Sequence, residues 1–339
     1  MKATHRRGLT MLGLCLALAG CGTSHGGSSG ASSAAPPSKA AEPGHAPAVS
    51  TPPAGTSVKV GNLPQGIAVD AAGIVAVGVR NPSAIVLLRA ATGAVLSRIP
   101  IAGAPRHLAL AGPDGPLLVP EESQDRLLEL TLPGGQARSF AVGDFPHAAA
   151  AGFGRVYVGD ERGGALSVIL PSGTVQRVGG FTQPGGIAVT GDDIAVVDVG
   201  AFTLTLLDAR TLQVKARIGA GAGPTHDAAG PGGRVYVADT RGNALLTFAT
   251  DPLRLLGRTR VPGSPYGIAI DPRRGRLWLT ETADNRLAEL GISGPGLPHI
   301  THTFPTGRQP DTVAVEASNG HVFVADQIAG TVEEISPGP

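Results

Sequence analysis

Cysteine is nearly missing from this 339-residue chain, and the only two, Cys15 and Cys21, lie close to its start. The remainder has no disulfide and no thiolate metal site, so packing alone must hold its fold. Lysine is scarce, at Lys2, Lys39, Lys59 and Lys215, and 27 basic side chains face 26 acidic ones. With no basic footprint, nucleic-acid binding is excluded. No segment carries a sustained 3.6-residue apolar period, which predicts little or no helix beyond the first residues. Convincing G-x-S-x-G, H-E-x-x-H, dinucleotide or P-loop signatures are also absent.

What is present begins with Lys2, Arg6 and Arg7, followed by an apolar run from Leu9 to Ala19. That run is too short to cross a bilayer, which takes about 20 helical residues, but it suits a secretory signal. It ends in Leu18-Ala19-Gly20-Cys21, which resembles the lipobox of bacterial lipoproteins. The resemblance implies cleavage before Cys21, lipidation of its thiol, and anchoring on the extracytoplasmic side of a membrane. Removing residues 1–20 takes away three basic side chains and no acid, leaving 24 basic against 26 acidic, a net charge near −2. Residues 21–56 are mostly Gly, Ser, Ala and Pro and read as a flexible tether, because they bury too little to offset their ordering entropy.

From residue 57 to 339 the chain repeats itself. A proline followed four residues later by alanine recurs at Pro64, Pro105, Pro146, Pro184, Pro224, Pro265 and Pro310, at spacings of 41, 41, 38, 40, 41 and 45 residues. Each repeat reads as four short strands separated by Gly, Asp or Asn turns. A period near forty built of strands predicts an all-β, seven-bladed β-propeller, most simply a monomer. An acid closes the second strand at Glu121, Asp160, Asp198, Asp239, Glu281 and Asp326, which reads as turn chemistry. The last repeat lacks its outer strand, and Ser57-Val58-Lys59-Val60 is the spare strand that would complete it and close the ring.

The repeats, best seen in Pro224 to Leu246 and Pro265 to Leu287, resemble the YVTN/NHL class of propellers over residues 57–337. That class includes periplasmic binding proteins, lactonases of the gluconolactonase type and streptogramin lyases, so the resemblance implies architecture more than activity. The lactonase type holds a metal with Glu, Asn and Asp in the channel, and no residue just after an anchor proline here is Glu or Asn. Phe145-Pro146-His147 and Trp278 to Glu281 are similar to fragments of the lyases, although Tyr266 follows the proline of the latter blade.

Those residues after the prolines are where a propeller's axial site is expected. Arg106, His107, His147, His226, Tyr266 and Asp311 all fall there, and Asp227 breaks the pattern of apolar residues three places after the proline. A carboxylate on an inner strand costs free energy unless paired or solvated, so this position marks either a ligand site or a buried hydrogen bond. No cofactor is expected. A divalent metal on His107, His147 and His226 with Asp227 or Asp311 is the set the residue types admit, without support from spacing. The expected function is a non-catalytic binding lipoprotein for a small molecule or protein partner. The alternative is a lactonase- or lyase-type enzyme with a histidine-lined axial pocket.

Overall fold

The structure, a computed structural model, describes residues 40–338. The expected signal peptide, Cys21 and the tether up to residue 39 lie outside the described residues. From Thr56 onward, 28 strands form seven four-stranded antiparallel sheets, with no helix among the described residues. The first strands of successive blades contact one another around the axis, and the contact of Gly66–Val69 with Pro310–Val315 closes the circle. The protein is a seven-bladed β-propeller.

Each blade needs both faces covered, and the sequence supplies this through alternation. In Asp193–Asp198, Ala195 and Val197 pack toward the fifth blade while Ile194 and Val196 pack toward the third. Successive side chains of a strand point to opposite faces, so one apolar hexapeptide serves two interfaces. The buried hydrophobic residues accordingly fall into seven clusters, each joining two neighbouring blades. The outer strands are largely exposed, as in Val95–Pro100 and Val214–Gly219.

The ring closes as the repeat count predicts. Thr56–Lys59 pairs antiparallel with Thr331–Ile335, Thr56 opposite Glu334 and Lys59 opposite Thr331, and supplies the outer strand of blade seven. The recurring acids are turn clamps. Asp198 accepts backbone N–H bonds from Thr182, Gln183, Gly200 and Ala201, and Asp239 does so from Ala222, Gly223 and Gly242.

Residues 40–55 correct the reading of a flexible tether extending to residue 56. They lie against the face on which the first strands begin. Gly44 N donates to Thr282 Oγ1 at 2.7 Å, Asn285 Nδ2 to Pro47 O at 3.1 Å, and Arg308 Nη2 to Ala46 O at 3.2 Å. Gly44 approaches so closely that a Cβ there would stand 2.8 Å from Ala283 Cβ. Composition missed this strap because its backbone, rather than its side chains, makes the bonds.

Candidate functional site

In five of the seven blades the inner strand opens with a register shift. In blades three, five and six the register shifts between the anchor proline and the residue three places on, at Pro146/Ala149, Pro224/Asp227 and Pro265/Ile268. Such a bulge leaves an extra residue unpaired and re-aims side chains that would otherwise alternate. One position after the proline carries His147, and two positions after it carry His107 and His226. In a regular strand these would face opposite ways. With the bulge all three meet on the axis.

Space for the rings comes from small residues at the same level. Gly66, Ala148, Gly186 and Gly267 occupy the positions equivalent to His107 and His226. A Cβ on Gly267 would stand 2.4 Å from Asp311 O, so neighbouring inner strands touch through bare backbone. His226 Nε2 lies 2.9 Å from His107 Nε2, and His147 Nδ1 lies 3.1 Å from Gly185 O. The His107 ring also packs edge-on against His147, with centroids 4.7 Å apart, and His226 against Tyr266 at 4.5 Å. Behind the rings lies a cavity of about 170 Å³, lined by residues including His107, Ala148, Gly186, His226, Asp227 and Thr312.

Of the seven residues chosen from the sequence, His107, His226 and Asp227 line the cavity, Tyr266 packs on His226, and Arg106 acts electrostatically on His147, Tyr266 and Asp311. Asp227 is reached by its own backbone N–H and by no hydrogen-bond donor of another residue. Both its carboxyl oxygens are buried without a partner on another residue, and so are both oxygens of Asp311.

Burial governs the electrostatics. It lowers the pKa of all three histidines, that of His226 to about 3, with Arg106 adding to the effect, so the rings are neutral at neutral pH. Burial raises Asp227 well above the ordinary carboxyl range. Asp311 is raised to about 7, by burial first and against the fields of Arg106 and Arg80. Arg106 forms no ion pair among the described residues; its Nη1 donates to Gln65 Oε1 at 3.4 Å, and its Nε is buried without a partner.

A further tier of the mouth escaped the sequence reading. The residues directly after the second strands include Arg80, Glu122, Glu161, Thr240, Thr282 and Gln327; they follow the recurring acid, or Val79 in blade one, and in six of the seven blades the anchor proline pairs with that acid, as Pro146 does with Asp160. Arg80 forms an ion pair with Glu122 and donates to Pro105 O. The signal was available one place beyond the recurring acid, where charged and polar residues replace a hydrophobic pattern. Glu42 of the strap acts electrostatically on Tyr266, Asp311 and Glu161, which brings the strap into the neighbourhood of the mouth.

No protein-family model matches the sequence, and no curated protein matches it. Solved structures match the fold. One is hydrazine synthase from Kuenenia stuttgartiensis, with TM-score 0.72 and 18% identity over 84% of this chain and 98% of that one. Another is a streptogramin B lyase, with TM-score 0.72 and 14% identity over 84% and 96%. A chain of the mitotic checkpoint complex aligns with TM-score 0.74 and 14% identity over 89% and 97%. These similarities establish the propeller, which serves lyase and scaffold proteins alike.

Proposed function

We propose that this protein is an extracytoplasmic lipoprotein of the YVTN/NHL type, anchored through Cys21, whose propeller binds an anionic small molecule or partner group at the axial mouth without transforming it. Arg106 carries this reading. The half-buried Arg106 forms no ion pair and its Nε is buried without a hydrogen-bond partner, so a ligand carboxylate or phosphate would supply the acceptors that Glu122, Glu161 and Asp311, which act on it only through their fields, do not. The surrounding Tyr266, His147 and Gln65 offer orientation at a mouth shaped by rigid strands.

The test is thermal unfolding and calorimetry with citrate, phosphate and short carboxylate-bearing peptides. The wild type should be stabilised by at least one such anion, and Arg106→Gln should be unresponsive. If none of these anions binds the wild type, the reading fails.

A lyase-type or lactonase-type activity is the second reading, favoured by unprotonated imidazoles beside an axial cavity, which can accept a proton. It predicts turnover of a streptogramin B or of a lactone, abolished by His147→Ala. Intact substrate after prolonged incubation with the wild type counts against it.

A further inference from the structure

We propose that His107, His147 and His226 together bind one divalent transition-metal ion of the Zn²⁺ class on the propeller axis. This goes beyond the anion-binding reading and stands whether or not that reading holds.

The geometry carries it. One ligating nitrogen from each histidine lies within 4.8 Å of the others, although the three residues come from blades two, three and five. Zn–N distances of 2.0–2.1 Å place tetrahedral ligand atoms about 3.3 Å apart. The 2.9 Å between His107 Nε2 and His226 Nε2 is slightly shorter than that, and the 4.8 Å limit is longer. Small ring rotations bring the set to a metal-binding arrangement, and the glycines and alanine at the same level leave room for them.

Hydrogen bonding points the same way. His147 Nδ1 donates to Gly185 O, which fixes the tautomer and leaves the Nε2 lone pair bare. That Nε2 is buried with no hydrogen-bond partner. The two Nε2 atoms of His107 and His226 share a single proton at most in their contact. A metal ion accepts all three Nε2 lone pairs at once, and His226 Nδ1 then takes the ring proton on the side of the Tyr266 carbonyl. The carbonyl–histidine–metal order at Gly185 and His147 is the second-shell pattern that orients metal-binding imidazoles.

Donor chemistry selects the ion. Three neutral imidazoles suit Zn²⁺, Cu²⁺ or Ni²⁺, whereas Mg²⁺ and Ca²⁺ require oxygen ligands. Three protein ligands leave a fourth position open for water or for a donor atom of a bound ligand. Arg106 places a positive charge near the site, which opposes binding of a second cation.

The experiment is calorimetric titration of chelator-treated full-length protein with Zn²⁺, then with Mg²⁺ and Ca²⁺, and a visible spectrum with Co²⁺. The expected result is one equivalent of Zn²⁺, no Mg²⁺ or Ca²⁺ binding, and the d–d bands of tetrahedral Co²⁺. His107→Gln, His147→Gln and His226→Gln should each weaken Zn²⁺ by more than the roughly 10- to 100-fold that follows loss of a second-shell partner. A wild type that binds no Zn²⁺ at micromolar concentration overturns the proposal without needing any variant to fold. Stoichiometric binding that survives all three substitutions also overturns it, because the ion then sits elsewhere. The Arg106→Gln variant should retain Zn²⁺, so failure of the anion-binding reading leaves this result readable.

Discussion

His226 Nε2 stands 2.9 Å from His107 Nε2, a contact between residues 119 positions apart on non-adjacent blades. The seven apolar clusters join only neighbouring blades, so this pair ties the ring together across its own axis. In metal-free protein, a double-mutant cycle with His107→Ala and His226→Ala should show a coupling on the order of 0.5–3 kcal/mol. Strictly additive effects on chemical denaturation would show that the two rings merely lie close.

Asp227 occupies a position where Ile187 and Ile268 stand in the neighbouring blades. Its carboxyl group is buried on the wall of the axial cavity, with no hydrogen-bond partner on another residue for either oxygen. A buried unsatisfied polar group costs about 1–3 kcal/mol, so Asp227→Ile should raise the melting temperature by several degrees. Lower stability of Asp227→Ile would mean that Asp227 is a structural residue.

The strap and the closing strand should contribute unequally. A chain beginning at residue 51 loses the bonds to Thr282, Asn285 and Arg308 and should melt a few degrees below one beginning at residue 40. Starting at residue 61 also removes the closing strand and Val58 and Val60 from the seam, and the drop should be larger. Equal melting of all three chains would contradict both contacts.

In blade seven Asp326 is raised from 3.8 to about 8, by burial and then by Glu333. Burial raises Glu333 as well, but the N–H bonds it accepts from Gly55 and Gly307 favour its ionised form, which leaves the proton on Asp326. The folded state therefore keeps a proton on Asp326 that the unfolded chain releases, and this contribution to stability is lost as pH rises from about 4 to about 8. Asp326→Asn keeps the shape without the titration. Its melting temperature relative to wild type should climb between pH 5 and pH 8, and a constant difference would remove Asp326 from the pH response.

Anchoring is testable apart from the ring. Cys21→Ala should remain unprocessed or be released from membranes on fractionation, since stable attachment takes more than one acyl chain. A variant that is cleaved and sediments with membranes like the wild type would exclude Cys21 as the anchor.

The ring was legible because the proline–alanine anchor recurs in every repeat and because the last repeat lacks a strand found at the other end, beginning at Thr56. The convergence of the histidines was not. Strict alternation separates His147 from His107 and His226, and only the bulges at the starts of the inner strands reverse that. Nothing in the residue types announces a bulge there. The strap was illegible for a related reason, since Ala46 and Pro47 bind through carbonyl groups that every residue possesses.

The seam also decides how the molecule responds to tension. Thr56 lies opposite Glu334, so the chain leading into the closing strand and the chain leading out of its partner depart from the same end of the ladder. A pull applied from residue 40 against the carboxyl terminus would first strip the strap, bond by bond. It would then unzip the seam one rung at a time from Thr56 to Lys59, without ever loading the four rungs together. Blade seven is therefore the mechanical fuse of the ring, and the other six blades, each a continuous meander, are spared until it has opened.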